Sequence, residues 1–239
     1  MGRLWLVRHA QASFLQENYD KLSELGEAQA RLLGEYWVRH KMQFDRVCSG
    51  PCVRQKDTAR IVGDAYANAG LGFPTPNILV ELDEYDGEAV LENALPGLLE
   101  RDARIRDLHR AFEASNESGE RRRTFQKLFE TVIALWVSGE ISPDGVESWD
   151  TFCSRVQRGF NAFLSAGGQG ERVAIFTSGG PIALAVQRAL ELSALNTLRV
   201  SWMAQNCSYS EFLFSSGRFT LSTFNSFPHL EDPSMQTYR

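Results

Sequence analysis

The sequence predicts an α/β fold, a three-layer α/β/α sandwich with a mostly parallel central sheet. Three observations carry that expectation. Leu4-Trp5-Leu6-Val7 and Val173-Ala174-Ile175-Phe176 are short, continuous apolar runs, the pattern of strands buried on both faces. Stretches with helical apolar spacing alternate with the strand candidates, as in βαβ units. Finally, three strand candidates each lead straight into a segment of polar character: Arg8-His9, residues 49–54 and residues 177–181. Sheets of this kind bind ligands beyond the carboxyl ends of their strands.

In chain order, Leu4 to Val7 form the first strand, and residues 10–22 lack periodicity and read as a loop. Ser23 reads as the N-cap of a helix through about Arg39, with Leu25, Ala28, Leu32, Leu33, Tyr36 and Trp37 at helical spacing. A second strand is expected at residues 44–48 and a second helix at 53–69, where Ala59, Ile61, Val62 and Ala65 are apolar. Residues 70–76 are turn-rich, and Ile78-Leu79-Val80 is a third strand candidate. From residue 87 to about 143 the chain is charged and helix-prone, without a strong strand candidate. It is expected to be a helical insertion over one end of the sheet, within a single domain spanning residues 1–239. Arg121-Arg122-Arg123, in its middle, reads as a solvated helix face. Trp149, Phe152, Val156, Phe160 and Phe163 form a continuous apolar stripe on a further helix. After the run at 173–176, residues 182–192 are helical. Residues 209–214 and 219–224 form a closing hairpin around Ser215-Ser216-Gly217, and the polar tail after His229 is expected to be loose.

A chain of 239 residues, 43% hydrophobic and 23% charged, can bury a core without covalent staples. Its formal net charge of −5 offers no broad basic footprint, which argues against nucleic acid as a partner while leaving room for a small positive pocket. The apolar run before Arg8 is too short for a signal peptide or a membrane span, and Leu6 stands where a myristoylation signal needs Ser or Thr. Cys48, Cys52, Cys153 and Cys207 lack metal-ligand spacing and read as reduced thiols of a cytoplasmic protein. No metal or cofactor is expected, and no membrane association; the oligomeric state is left open.

Arg8-His9 leaves the end of a buried strand, and Arg54 sits near the start of a helix that follows another. Two guanidinium forks from different strands can clamp a phosphate, and helix amides can add to the anion site. A neutral imidazole held between them can attack phosphorus as a nucleophile. Ser178, between a strand and Gly179-Gly180, invites comparison with a hydrolase nucleophile elbow. That pattern needs glycine two residues before the serine, and Phe176 stands there instead.

Leu6-Val7-Arg8-His9-Ala10, followed in order by Gly26 to Ala30, Arg54 to Ala59, Leu82 to Gly87, Gly145 to Ser148, Asn206 to Ser208 and Phe224 to Leu230, resembles the histidine phosphatase (phosphoglycerate-mutase-like) superfamily. Leu6-Val7-Arg8-His9-Ala10-Gln11-Ala12 is similar to its signature loop, and Leu22-Ser23-Glu24-Leu25-Gly26-Glu27-Ala28-Gln29-Ala30 to the helix start that follows. The segment from Asp45 through Arg54 to Thr58-Ala59 resembles the second-arginine region. Leu82-Asp83-Glu84-Tyr85-Asp86-Gly87 resembles the acidic region, with its glycine one residue early. Gly145-Val146-Glu147-Ser148 with Arg155, then Asn206-Cys207-Ser208, then Phe224-Asn225 to His229-Leu230, are similar to the later landmarks.

The resemblance implies a phosphohydrolase acting on a phosphate monoester of a small molecule or protein. His9 would be the nucleophile that carries a phosphohistidine, and Arg8 and Arg54 would bind the phosphoryl group. Glu84 would be the general acid, needing a proton affinity lifted towards neutrality by a desolvated site beside Asp83 and Asp86. The family usually has a histidine where Ser178 stands; Ser178 keeps a hydroxyl donor for the phosphate but cannot carry positive charge. A mutase would need more pocket cations than the sequence supplies. The alternative reading, which Ser178 favours, is a degenerate member that binds a phosphorylated ligand or partner without turnover.

Overall fold

Strand β1 (Gly2–Arg8) holds the first apolar run, and β4 (Arg172–Thr177) the second. The structure, a computed structural model, describes residues 1–13, 20–165 and 170–238; residues 14–19 of the expected loop at 10–22 therefore lie outside the described residues. β1 and β4 pair in parallel, with Leu6 opposite Ile175 and Arg8 opposite Thr177. β2 (Arg46–Ser49) pairs in parallel with β4 on its other side, with Ser49 opposite Phe176. This register brings the ends of β1 and β4 level and that of β2 within one residue of them, so that His9, Gly50 and Ser178 leave the same end of the sheet. The next backbone bonds hold them there: His9 N–H donates to Thr177 O at 2.8 Å and Gly50 N–H to Phe176 O at 2.9 Å.

With β3 (Asn77–Ile78), β5 (Tyr209–Ser215) and β6 (Arg218–Ser226), the six-stranded sheet runs β3-β2-β4-β1-β5-β6. β5 is antiparallel to β1, and β6 closes the sheet as the expected hairpin. The third strand is shorter than the apolar run suggests. β3 is only Asn77–Ile78, and the chain then turns into a 3-10 turn at Val80–Leu82. Val80 is 62% exposed, so its apolar character reports no buried strand.

Alternation along the strands splits the core into two faces. Trp5, Val7, Val47, Ala174 and Phe176 pack with Ala30, Leu33 and Trp37 of α1 (Glu24–Arg39) and with Ala59, Val62 and Tyr66 of α2 (Val53–Asn68). The intervening residues, Leu4, Leu6, Cys48, Val173 and Ile175, are equally buried. In chain order the remaining helices are α3 (Gly87–Arg101), α4 (Ala103–Ala114), α5 (Ser118–Val137), α6 (Trp149–Ser165), α7 (Gly179–Leu190) and α8 (Ala194–Met203). α7 packs on β1 and β6, and Arg46 of β2 lies over the Phe163 ring of α6. Helices on both faces make the three-layer sandwich that the apolar runs predict. The helix α8 has no counterpart in the sequence reading; Ser193 caps it by accepting from Asn196 N–H.

Ser23 is the N-cap of α1, its hydroxyl accepting from Gly26 N–H at 3.0 Å. A Cβ on Gly26 would sit 2.1 Å from Gln11 O, so only glycine lets α1 approach the segment after His9 this closely. The tail departs from expectation. Asn206 N–H donates to Thr237 O, and Gln29 Nε2 donates to Met235 O at 2.7 Å and to Thr237 Oγ1 at 3.0 Å. The polar residues that made it look loose are its fastenings.

The chain divides into two compact units, Met1–Glu84 with Arg155–Arg239, and Tyr85–Ser154. The second unit is helical. Its aromatic cluster joins Tyr85, Trp136, Trp149 and Phe152 at centroid distances of 5.2 to 5.6 Å. Arg121, Arg122 and Arg123 are exposed, with Arg121 lying over the Phe112 ring at 4.2 Å. Among the described residues, no helix is long and apolar enough to cross a membrane.

Candidate active site

His9 is 7% exposed at the end of β1. Its Nδ1 lies 2.8 Å from Ala10 O, a carbonyl that can only accept, so Nδ1 carries the proton and Nε2 keeps its lone pair. Burial holds the imidazole well below its ordinary proton affinity, and the positive charges of Arg54 and Arg8 push it the same way. The ring is neutral at physiological pH, which is what a nitrogen nucleophile requires. Thr58 of α2 fixes the following residue: its Oγ1 accepts from Ala10 N–H at 3.0 Å and donates to Arg54 O at 2.6 Å.

Arg8 donates from Nη1 to Ala204 O, at the end of α8. Arg54 stands in the first turn of α2, its Nη1 2.9 Å from Asp20 Oδ1. The other oxygen of Asp20 accepts from Val53 N–H at 2.7 Å. An internal carboxylate thus occupies the start of α2, where backbone amides and the helix dipole favour negative charge.

Ser178 is 1% exposed and is the N-cap of α7, yet its side chain caps no amide of that helix. Its Oγ accepts from Gln55 Nε2 at 2.8 Å. Glu84 reaches the same turn, where its Oε2 accepts from Gly180 N–H at 2.9 Å. The backbone before Glu84 is held from two sides. Arg155 Nη1 donates to Glu81 O at 2.9 Å and Asp83 O at 3.2 Å, and Thr177 Oγ1 donates to Leu82 O at 2.7 Å. Cys52, in the same region, donates its thiol proton to Asp83 Oδ1 at 3.0 Å. Burial and that bond push the thiol up to about 12, so it offers no thiolate to compete with His9. Among the described residues no group of three or more His, Cys, Asp or Glu side chains is arranged to hold a metal ion.

The profile of the histidine phosphatase superfamily (branch 1) matches residues 4–134 and 117–226. The chain belongs to that superfamily. Solved structures of several phosphatases share its fold. A putative alpha-ribazole-5'-P phosphatase from Escherichia coli is 21% identical, with 94% of this chain and 96% of that one covered and a TM-score of 0.63. A phosphoserine phosphatase from Entamoeba histolytica, solved with 3-phosphoglyceric acid, is 17% identical, covering 96% and 100%, with a TM-score of 0.62. A mycobacterial glucosyl-3-phosphoglycerate phosphatase is 21% identical, covering 95% and 99%, with a TM-score of 0.60. No curated protein matches the chain.

His9 and Ser178 follow paired strand ends, Arg54 acts electrostatically on His9, and Glu84 bonds the turn that Ser178 opens. Thr58, Gln55 and Arg155 were not assigned roles from the sequence alone. Gln55 had a usable signal: it lies at helical spacing with Ala59, Val62 and Tyr66, all on the buried face of α2.

Proposed function

We propose that this histidine phosphatase hydrolyses a phosphate monoester through a phosphohistidine on His9. His9 Nε2 attacks phosphorus while the ester oxygen departs, and Glu84 gives that oxygen its proton. Water then attacks the phosphohistidine, Glu84 takes the water proton, and inorganic phosphate leaves with His9 restored. Arg8, Arg54 and the Ser178 hydroxyl hold the phosphoryl oxygens. An ester dianion arriving beside Glu84 favours the protonated carboxyl by like-charge repulsion, which loads the acid for the first step.

The observation that carries this reading is the neutral His9, with Nδ1 committed to Ala10 O and two arginines beside it. The phosphatase names of the three neighbours above, each describing action on a phosphorylated small molecule, support the same substrate class. Ser178 in place of the family's histidine removes one charged donor. A hydrogen bond to a charged group contributes about 1.5–3 kcal/mol, so the substitution slows the step by roughly 10- to 150-fold if the whole loss falls on the transition state. Slowed chemistry is still catalysis. No metal takes part, and the enzyme works in the cytoplasm on a diffusible substrate.

The test is phosphate release from an aryl phosphate and a panel of phosphorylated metabolites, with chelator present, for wild type and His9→Ala. Turnover by wild type that His9→Ala loses supports the proposal. Wild type at the His9→Ala background on every substrate, with inorganic phosphate still bound, replaces it with the reading that Ser178 favours: a phosphate-binding protein without turnover.

A further inference from the structure

Gln55 is a fully buried polar side chain that the reaction above does not use. Both ends of its carboxamide are committed. Cys52 N–H donates to Oε1 at 3.1 Å, which fixes the oxygen towards the start of α2 and leaves Nε2 to face Ser178. Nε2 donates to Ser178 Oγ at 2.8 Å. The seat is tight: a Cβ on Gly50 would lie 2.2 Å from Oε1, so the side chain rests directly on the Gly50 backbone.

A serine hydroxyl has one proton and two lone pairs. Gln55 engages a lone pair, and Ser178 spends nothing on capping α7, so the hydroxyl proton has no acceptor among the described residues. We infer that Gln55 is a positioning residue that turns the Ser178 hydroxyl into a fixed donor aimed at a phosphoryl oxygen. A free hydroxyl rotor would have to be ordered when phosphate binds; one already locked by a buried amide costs less to use. Gln55 and Ser178 together then do with a neutral, oriented pair part of what a charged ring does alone. This rests on the reading of Ser178 as a phosphate ligand.

The experiment is a double-mutant cycle on inorganic phosphate binding, followed by calorimetry in wild type, Ser178→Ala, Gln55→Met and the double variant. It needs no turnover. The expected result is a roughly tenfold weaker Kd for Ser178→Ala, about the same loss for Gln55→Met, and a double variant no weaker than Ser178→Ala alone. If both single variants weaken binding and the losses multiply in the double variant, Gln55 acts by general packing and the inference is overturned while Ser178 keeps its role. If Ser178→Ala binds as wild type does, the reading of Ser178 falls and takes the inference with it. Should Gln55→Met not fold, Gln55→Glu keeps the volume and the Cys52 contact but accepts the Ser178 proton. A tenfold or greater loss of affinity is then expected, and unchanged affinity overturns the inference.

Discussion

Asp20 bonds Arg54 as a phosphate would: one carboxylate oxygen lies 2.9 Å from the guanidinium and the other accepts from the Val53 amide at 2.7 Å. The first turn of α2 carries no acidic residue of its own, so Asp20 supplies the negative charge that the helix start favours. A substrate anion that uses Arg54 competes with it.

Removing that competitor strengthens the site. Asp20→Asn keeps an oxygen for the Val53 amide and discards the charge. Inorganic phosphate should bind roughly tenfold more tightly, the equivalent of about one charge-assisted hydrogen bond. Titration calorimetry reads this directly; equal or weaker binding means that Asp20 supports the anion site instead of occupying it.

Glu84→Gln separates the two steps assigned to its carboxyl. An alkyl phosphate needs its leaving oxygen protonated, so its turnover should fall about 100- to 10,000-fold. A nitrophenyl phosphate leaves without help, so the variant should show a burst of nitrophenol near one equivalent of enzyme and then a slow release limited by water attack. Equal losses on both substrates, without a burst, would remove Glu84 from proton transfer.

The legible part of the fold is the part in which one physical cause dominates. Strands buried on both faces need unbroken apolar runs, so β1 and β4 stand out, and the strand-end rule then points to the segments that hold His9 and Ser178, whose roles come only from the family resemblance. Ser23 was readable because a helix start needs a side-chain acceptor, and it provides one. Elsewhere tertiary context reverses local appearance. Val80 is apolar yet exposed, so the expected third strand shrinks to Asn77–Ile78. Thr237 is polar yet bonds Gln29 and Asn206, so a tail that reads as loose is fastened. Gln55 was obscured by its type, since glutamine on a helix is usually solvated.

The tail's fastening has a measurable consequence. Gln29 is fully buried, accepts from Gln11 N–H at 2.9 Å and donates to Met235 and Thr237. Gln29→Leu leaves the Gln11 amide and the tail acceptors without their partner. Urea unfolding should report a loss of about 1–3 kcal/mol, from partly buried groups that lose their bond to Gln29. A loss below about 0.5 kcal/mol would show that the tail does not brace the segment after His9.

His229 sets a pH dependence. It is 5% exposed against the rings of Tyr209 and Tyr36, and burial lowers its pKa from 6.5 to about 4. Its folded pKa lies below its unfolded one, so the unfolded chain binds more protons between those values. Stability is therefore intact above pH 6.5 and falls as pH drops towards 4, by about 2 kcal/mol at pH 5 from this residue. His9 adds a contribution of the same sign. His229→Phe, which keeps a ring in place, should flatten the slope between pH 7 and pH 5 by about that amount in urea melts; an unchanged slope would show that His229 does not titrate as its burial implies.

The central claim is that His9 becomes phosphorylated. The most direct measurement is rapid-quench trapping with a labelled aryl phosphate, followed by peptide mapping. Label that survives base, is lost in acid and maps to the peptide containing His9, present in wild type and absent from His9→Ala, is the predicted result. Phosphate release at an undiminished rate in His9→Ala, or wild-type turnover with no label on that peptide, would contradict it.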